Sequence, residues 1–308
     1  MTTSIDLEGI IPATVLPMTP DGEIDEPELR KYIRWIATQG IRAVAVNVDT
    51  GEGPHLWQEE KLRVIRIYTE ELAGKNIPIV AGLGASFTAQ AVRYGREAQD
   101  AGADCLLVFP ISDYLGQPLS PELPYRYHKA IADGVGLPMI LFTLQPALGG
   151  TNFSDETLAR LMEIPQVAGI KEALFDAKRF REIAGVVAAA PRPITLLTGN
   201  DNFIWESYLL GAKGALLGAC AVCTRAHVDV YEAAMRGDWP AARELGDRVQ
   251  TVVDAMFAPP VRDYRARAKE ILVMQGILAG AHVRPPLLPI SPEDRQGLKR
   301  ALEAAGQL

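Results

Sequence analysis

Gln166-Val167-Ala168-Gly169-Ile170-Lys171-Glu172-Ala173 is a short apolar run that carries a lysine. Strands buried on both faces of a parallel sheet read as near-continuous apolar residues, so a lysine there needs a reason. Either the strand meets water at Lys171, or the amine is placed for chemistry. The run itself leaves both open, and the segments on either side decide what kind of sheet it belongs to.

Upstream, Ile10 to Leu16 reads as a first strand, closed by Pro17 and the turn Asp21-Gly22. Leu29, Ile33 and Ile36 then recur at helical spacing and stop near Gly40. The unit repeats in strands 43–48, 78–83, 105–109 and 138–142, with helices 59–72, 88–101, 122–132 and 155–162 between and after them, and Ser154 placed as an N-cap. Downstream of the lysine run come helix 179–188, strand 194–198, helix 203–210 and strand 214–217. Eight such runs, most of them followed by a helical pattern, predict an α/β protein, a (β/α)8 TIM barrel. Helical patterns at 226–235, 239–257, 263–275 and 292–305 predict a C-terminal helical extension, the last with Ser291 as N-cap and Pro292 in its first turn. The expected division is a catalytic barrel over 1–225 and the extension over 226–308.

The net charge of −7, with no Lys/Arg block, excludes a general nucleic-acid binder. Met1 to Glu8 is polar and acidic, unlike a signal peptide, and no apolar run reaches membrane-spanning length, so a cytoplasmic, membrane-free protein is expected. Three cysteines, Cys105, Cys220 and Cys223, make no disulfide framework, and Cys220-Ala221-Val222-Cys223 lacks a second ligand pair. Buried thiols are expected, with no metal and no cofactor.

In such a barrel the active site lies at the C-terminal ends of the strands. That rim would carry Lys171 with Asp49, Thr50 and Gly51 after the second strand, Phe142 and Thr143 at the fifth, Asn200 after the seventh and Leu216 on the eighth. Apolar walls disfavour the charged form of a lysine and leave more neutral amine to attack a carbonyl. That is Schiff-base chemistry.

The motifs also carry a resemblance. Gly169-Ile170-Lys171-Glu172-Ala173 resembles the Schiff-base lysine motif of the dihydrodipicolinate synthase and N-acetylneuraminate lyase family, the class I pyruvate-dependent aldolases. Asp49-Thr50-Gly51-Glu52 is similar to its substrate-carboxylate loop, Gly199-Asn200-Asp201 to its turn after the seventh strand, and Arg284 to Pro289 to its C-terminal segment. The resemblance implies that Lys171 forms an imine with a pyruvate-like 2-oxo acid. It implies too that Thr50, with the N–H groups of Thr50 and Gly51, holds the carboxylate, while Glu52 braces the loop. It further implies a homo-tetramer, a dimer of dimers.

The sequence departs from that pattern in three places. Phe142 stands where the family's proton-relaying tyrosine is expected, Ala147 where the synthase's carboxylate-gripping arginine aligns, and Ile111-Ser112 where it has paired tyrosines, with Tyr114 close by. These losses argue against dihydrodipicolinate synthase activity itself. Asp49 replaces a hydroxyl residue with a group able to carry a proton, and is read either as a substitute relay or as a loop cap. His55 and Trp57 are placed near the mouth. The expected activity is a lyase acting on a 2-oxo acid, as aldolase, hydratase-aldolase or dehydratase, with a pocket formed by Phe109, Ile111, Phe142 and Leu144. The alternative is a keto-acid-binding protein that kept the fold without turnover.

Overall fold

A computed structural model describes residues 5–116 and 118–308. Eight parallel strands follow one another around a barrel: β1 (Gly9–Pro12), β2 (Val44–Val46), β3 (Ile79–Leu83), β4 (Cys105–Val108), β5 (Met139–Leu144), β6 (Val167–Ala173), β7 (Thr195–Thr198) and β8 (Gly214–Leu217). The sheet runs in the order β1-β8-β7-β6-β5-β4-β3-β2, and a parallel bridge between Ala13 and Ala45 closes the seam. The helices between strands are α1 (Glu26–Ile36), α2 (Gln58–Glu71), α3 (Thr88–Asp100), α4 (Glu122–Val135), α5 (Asp155–Met162), α6 (Ala177–Ala188) and α7 (Ile204–Leu209). The (β/α)8 architecture read from the sequence is the one observed.

Helix α8 (Thr224–Met235) packs against β1 and α7, which makes it the eighth helix of the barrel wall. The expected boundary between residues 225 and 226 therefore cuts through a barrel helix. The extension proper is α9 (Trp239–Met256), α10 (Tyr264–Met274) and α11 (Pro292–Ala304). Ser154 and Ser291 cap α5 and α11 as expected, each accepting a backbone N–H from three residues on.

Two apolar layers follow from the alternation of the strands. Residues pointing outward pack under the helices in the main core, while Ile11, Ala45, Leu107, Ile140, Leu197 and Leu216 fill the barrel interior. In β6 the inward phase is Gly169, Lys171 and Ala173, because successive side chains alternate faces. Gly169 sits against Leu7 at the bottom and Ala173 belongs to the interior cluster. The lysine is thus two residues inside the end of the strand, not at its end. Its ammonium group is set within the barrel mouth.

Candidate active site

The cavity at the C-terminal end of the strands has a volume of about 730 Å³. Lys171, Asp49, Thr50, Phe142 and Asp201 line it, with Phe109, Leu144 and Phe175 forming much of the apolar wall. Its outer side is built by the extension: Phe257, Arg262 and Tyr264 reach in from the end of α9 and the start of α10.

Parallel pairing sets Phe142 beside Lys171, and the lysine Nζ lies 4.3 Å from the centre of the Phe142 ring. Gly199 makes the other side possible, since a Cβ there would stand 2.8 Å from the lysine Cε. No carboxylate lies within salt-bridge distance of Nζ among the described residues. Burial holds the amine below the ordinary lysine range, opposed by the charges of Asp201 and then Asp49. Burial likewise pushes the Asp201 carboxyl up, with Lys171 pulling it down. The amine is desolvated and faces negative charge without touching it.

Asp49 is held from the extension. Arg265 Nη2 donates to Oδ1 at 2.5 Å, Arg265 Nε donates to the Asp49 carbonyl at 2.8 Å, and the Tyr264 hydroxyl donates to Oδ2 at 2.8 Å. Arg262 Nη1 stands 3.6 Å from Oδ2. The same Tyr264 hydroxyl is 3.5 Å from Thr50 Oγ1. Tyr264 is stacked on Phe257, ring centres 4.8 Å apart, and burial raises its phenol well above the usual tyrosine range. The N–H groups of Thr50 and Gly51 donate to no protein acceptor among the described residues. An anion beside Thr50 would find two backbone donors and a hydroxyl.

Several expected site residues serve the frame. Gly51 adds no side chain to the cavity wall and keeps its N–H unpaired among the described residues; the missing Cβ lets the loop approach the segment just after β1, since it would stand 2.8 Å from the Thr14 carbonyl oxygen. Thr143 points outward and its hydroxyl donates to the Thr151 carbonyl at 3.0 Å. Leu216 is filler of the barrel interior. Asn200 donates to the carbonyl and side chain of buried Glu172 and accepts the Phe175 N–H at 2.7 Å. Phe175 has a left-handed backbone, φ 60°, unusual for a bulky residue, so Asn200 fixes a strained cavity wall. Desolvation pushes the Glu172 carboxyl up to about 7.

Glu52 is fully buried, paired with Lys269 and accepting the Arg284 N–H at 2.9 Å, as the bracing role requires. Ile111 and Tyr114 face the core, where Tyr114 packs edge-on against Tyr127 and Phe153. His55 and Trp57 lie outside the cavity wall, and Trp57 is 75% exposed. Cys105, Cys220 and Cys223 are buried free thiols, and burial carries Cys223 up to about 12. No helix among the described residues is long and apolar enough to cross a membrane.

Sequence reasoning missed Tyr264, Arg262 and Arg265. They lie more than 200 residues from Asp49, at the start of α10 and in the turn just before it. A buried run from Tyr264 to Lys269 is visible only after folding.

The chain matches the sequence model of the Dihydrodipicolinate synthetase family over residues 6–305. It is 34% identical over 302 residues to the 4-hydroxy-tetrahydrodipicolinate synthase of Neisseria gonorrhoeae, covering 98% of this chain and 100% of that one. To the enzyme of the same name from Methylococcus capsulatus it is 33% identical over 305 residues, covering 98% and 100%. Among solved structures, the dihydrodipicolinate synthase of Acinetobacter baumannii complexed with pyruvate superposes with a TM-score of 0.86 at 31% identity, over 98% of this chain and 100% of that one.

Proposed function

Because this chain belongs to the dihydrodipicolinate synthetase family, we propose that it is a lyase that binds a pyruvate-type 2-oxo acid as an imine on Lys171. The observation that carries this reading is the lysine itself: an inward-facing amine, desolvated, free of a close carboxylate and seated in the barrel mouth. In its neutral form the amine attacks the 2-oxo carbon. Loss of the oxygen as water leaves an iminium that accepts electrons from a breaking bond beyond C3. Thr50 Oγ1 with the N–H groups of Thr50 and Gly51 holds the carboxylate, and Asp49 takes part in moving protons.

The reaction is aldolase, hydratase-aldolase or dehydratase chemistry on a partner with an apolar or aromatic portion. Phe109, Phe142, Leu144 and Phe175 favour such a portion over a second carboxylate. Phe142 and Ala147 stand where the synthase reaction would call for a proton-relaying hydroxyl and a carboxylate-binding arginine, so the synthase reaction is not the activity we assign. A homo-tetramer is the expected assembly, checked by the solution mass from light scattering.

Borohydride reduction with pyruvate, followed by intact mass and peptide mapping, tests the reading. The expected product is a reduced adduct on Lys171, absent from Lys171→Ala. Folded protein without an adduct, beside a labelled family member, sinks it. One observation favours the second reading, a keto-acid-binding protein without turnover: the phenyl ring of Phe142 against the lysine. An adduct with no turnover of any 2-oxo acid would support it.

A further inference from the structure

Imine chemistry needs a group that moves protons between C3 and the solvent, and the strands supply none. Phe142, the β5 residue beside Lys171, cannot donate or accept a proton. Hydroxyls on the cavity wall come from Thr50 and Tyr264 alone among the described residues, and Tyr264 is delivered by α10 of the extension.

The geometry around that phenol is built. Its hydroxyl donates to Asp49 Oδ2 at 2.8 Å, while Arg265 fixes the other carboxylate oxygen and the loop carbonyl at 2.5 and 2.8 Å. Phe257 stacks on the ring. Gly218 leaves open the space beside it, since a Cβ there would stand 3.0 Å from Thr50 Oγ1 and 3.4 Å from Tyr264 Cε2. Tyr264 lines the same cavity as Lys171 and Thr50, so a 2-oxo acid bonded to Lys171 Nζ shares that space with the phenol.

We propose that Tyr264 is the catalytic residue that carries the C3 proton, with Asp49 as its proton partner and Arg265 positioning Asp49. This deepens the Lys171 reading and rests on it. As the iminium becomes the enamine, the C3–H bond breaks and its electron pair forms the C2–C3 double bond, while the C2–N π pair returns to nitrogen. The proton passes to the Tyr264 oxygen as the phenol's own proton passes to Asp49 Oδ2. The reverse transfer returns a solvent proton to C3 and restores the dyad. No external oxidant or reductant is required. Burial disfavours a resting phenolate, so Tyr264 begins the cycle with its proton in place.

The test uses pyruvate alone and requires no knowledge of the acceptor. In D2O the full-length protein should exchange the pyruvate methyl protons, followed by NMR, while borohydride traps the Lys171 adduct in parallel. In Y264F the adduct should persist and the exchange rate should fall by about 10²-fold or more, the usual cost of losing an acid–base group. Exchange within twofold of wild type overturns the assignment. Loss of the adduct in a folded Y264F also overturns it, because Tyr264 would then serve imine formation or binding. Wild-type protein showing neither adduct nor exchange defeats the Lys171 reading instead. If Y264F does not fold, 3,5-difluorotyrosine at position 264 keeps the shape with a more acidic phenol. Its exchange must then shift to lower pH, and an unmoved profile overturns the assignment.

Discussion

At the scale of the residue, Lys171 and Asp201 are an electrostatic pair without contact. Desolvation lowers the lysine, and the Asp201 charge is the larger of the two that resist. A carboxylate stabilises the ammonium form, so removing it lowers the lysine pKa further. Asp201→Asn keeps an oxygen able to accept the Ala219 N–H, which now reaches Oδ1 at 3.3 Å. The rate of borohydride-trappable imine formation as a function of pH should therefore shift to lower pH in Asp201→Asn, with the neutral-pH rate raised or held. An alkaline shift would mean that Asp201 does not act on the lysine through its charge. The lysine was the part of the site most legible in sequence, because an amine inside an apolar run is rare and period-two alternation fixes which way it points. Rim position alone does not tell an inward side chain from one turned outward, as at Thr143, or one spent on a neighbouring carbonyl, as at Asn200.

At the scale of the element, the extension is fastened to the carboxylate loop by a buried ion pair. Lys269 of α10 and Glu52 are both fully buried, and Lys269 also donates to the His282 carbonyl at 2.6 Å. Arg284 joins them through its N–H to Glu52 and its guanidinium to Glu60 at 2.7 Å. Truncating one partner leaves an uncompensated charge, whereas replacing both with apolar groups of similar size is often close to neutral. Lys269→Met should cost about 3–5 kcal/mol in urea denaturation, and Glu52→Leu in the same chain should recover most of that loss. Additive losses would show that each residue is held by separate contacts. The helices themselves were legible from spacing to within a few residues, α5 with its Ser154 cap above all. What α10 does was not, since nothing in the local sequence marks Arg265, Arg267 and Lys269 as the buried charges they are. Periodicity reports a face turned to water, and α10 has none over its first six residues. The link between Tyr264 and Asp49 is likewise a tertiary fact, absent from any local window.

At the scale of the whole molecule, buried titratable groups pull the fold's response to acid in opposite directions. His128 on α4 is sealed among Tyr127 and Phe153, and burial takes it from the ordinary 6.5 down to about 4; His227 on α8 is buried and shifted to the same value. A depressed folded pKa contributes stability that is present above the unfolded value and lost as pH falls through the folded one. Each histidine thus contributes at most about 3 kcal/mol at neutral pH, lost between pH 6.5 and about 4. Glu172 works in the opposite sense: raised from 4.5 to about 7, it favours the fold below pH 4.5 and loses that contribution as pH rises through 7. Asp201, raised to about 7 by burial, acts in the same sense as Glu172, so two carboxyls oppose the two histidines on acidification. Subtracting the stability–pH curve of His128→Phe from that of the wild type isolates one histidine's share. The variant fills the same aromatic site, gives up only a ring-nitrogen bond to the Pro124 carbonyl, and should lose markedly less stability between pH 6.5 and 4. Parallel curves for the two proteins would mean that His128 binds its proton in the folded state as readily as in the unfolded chain.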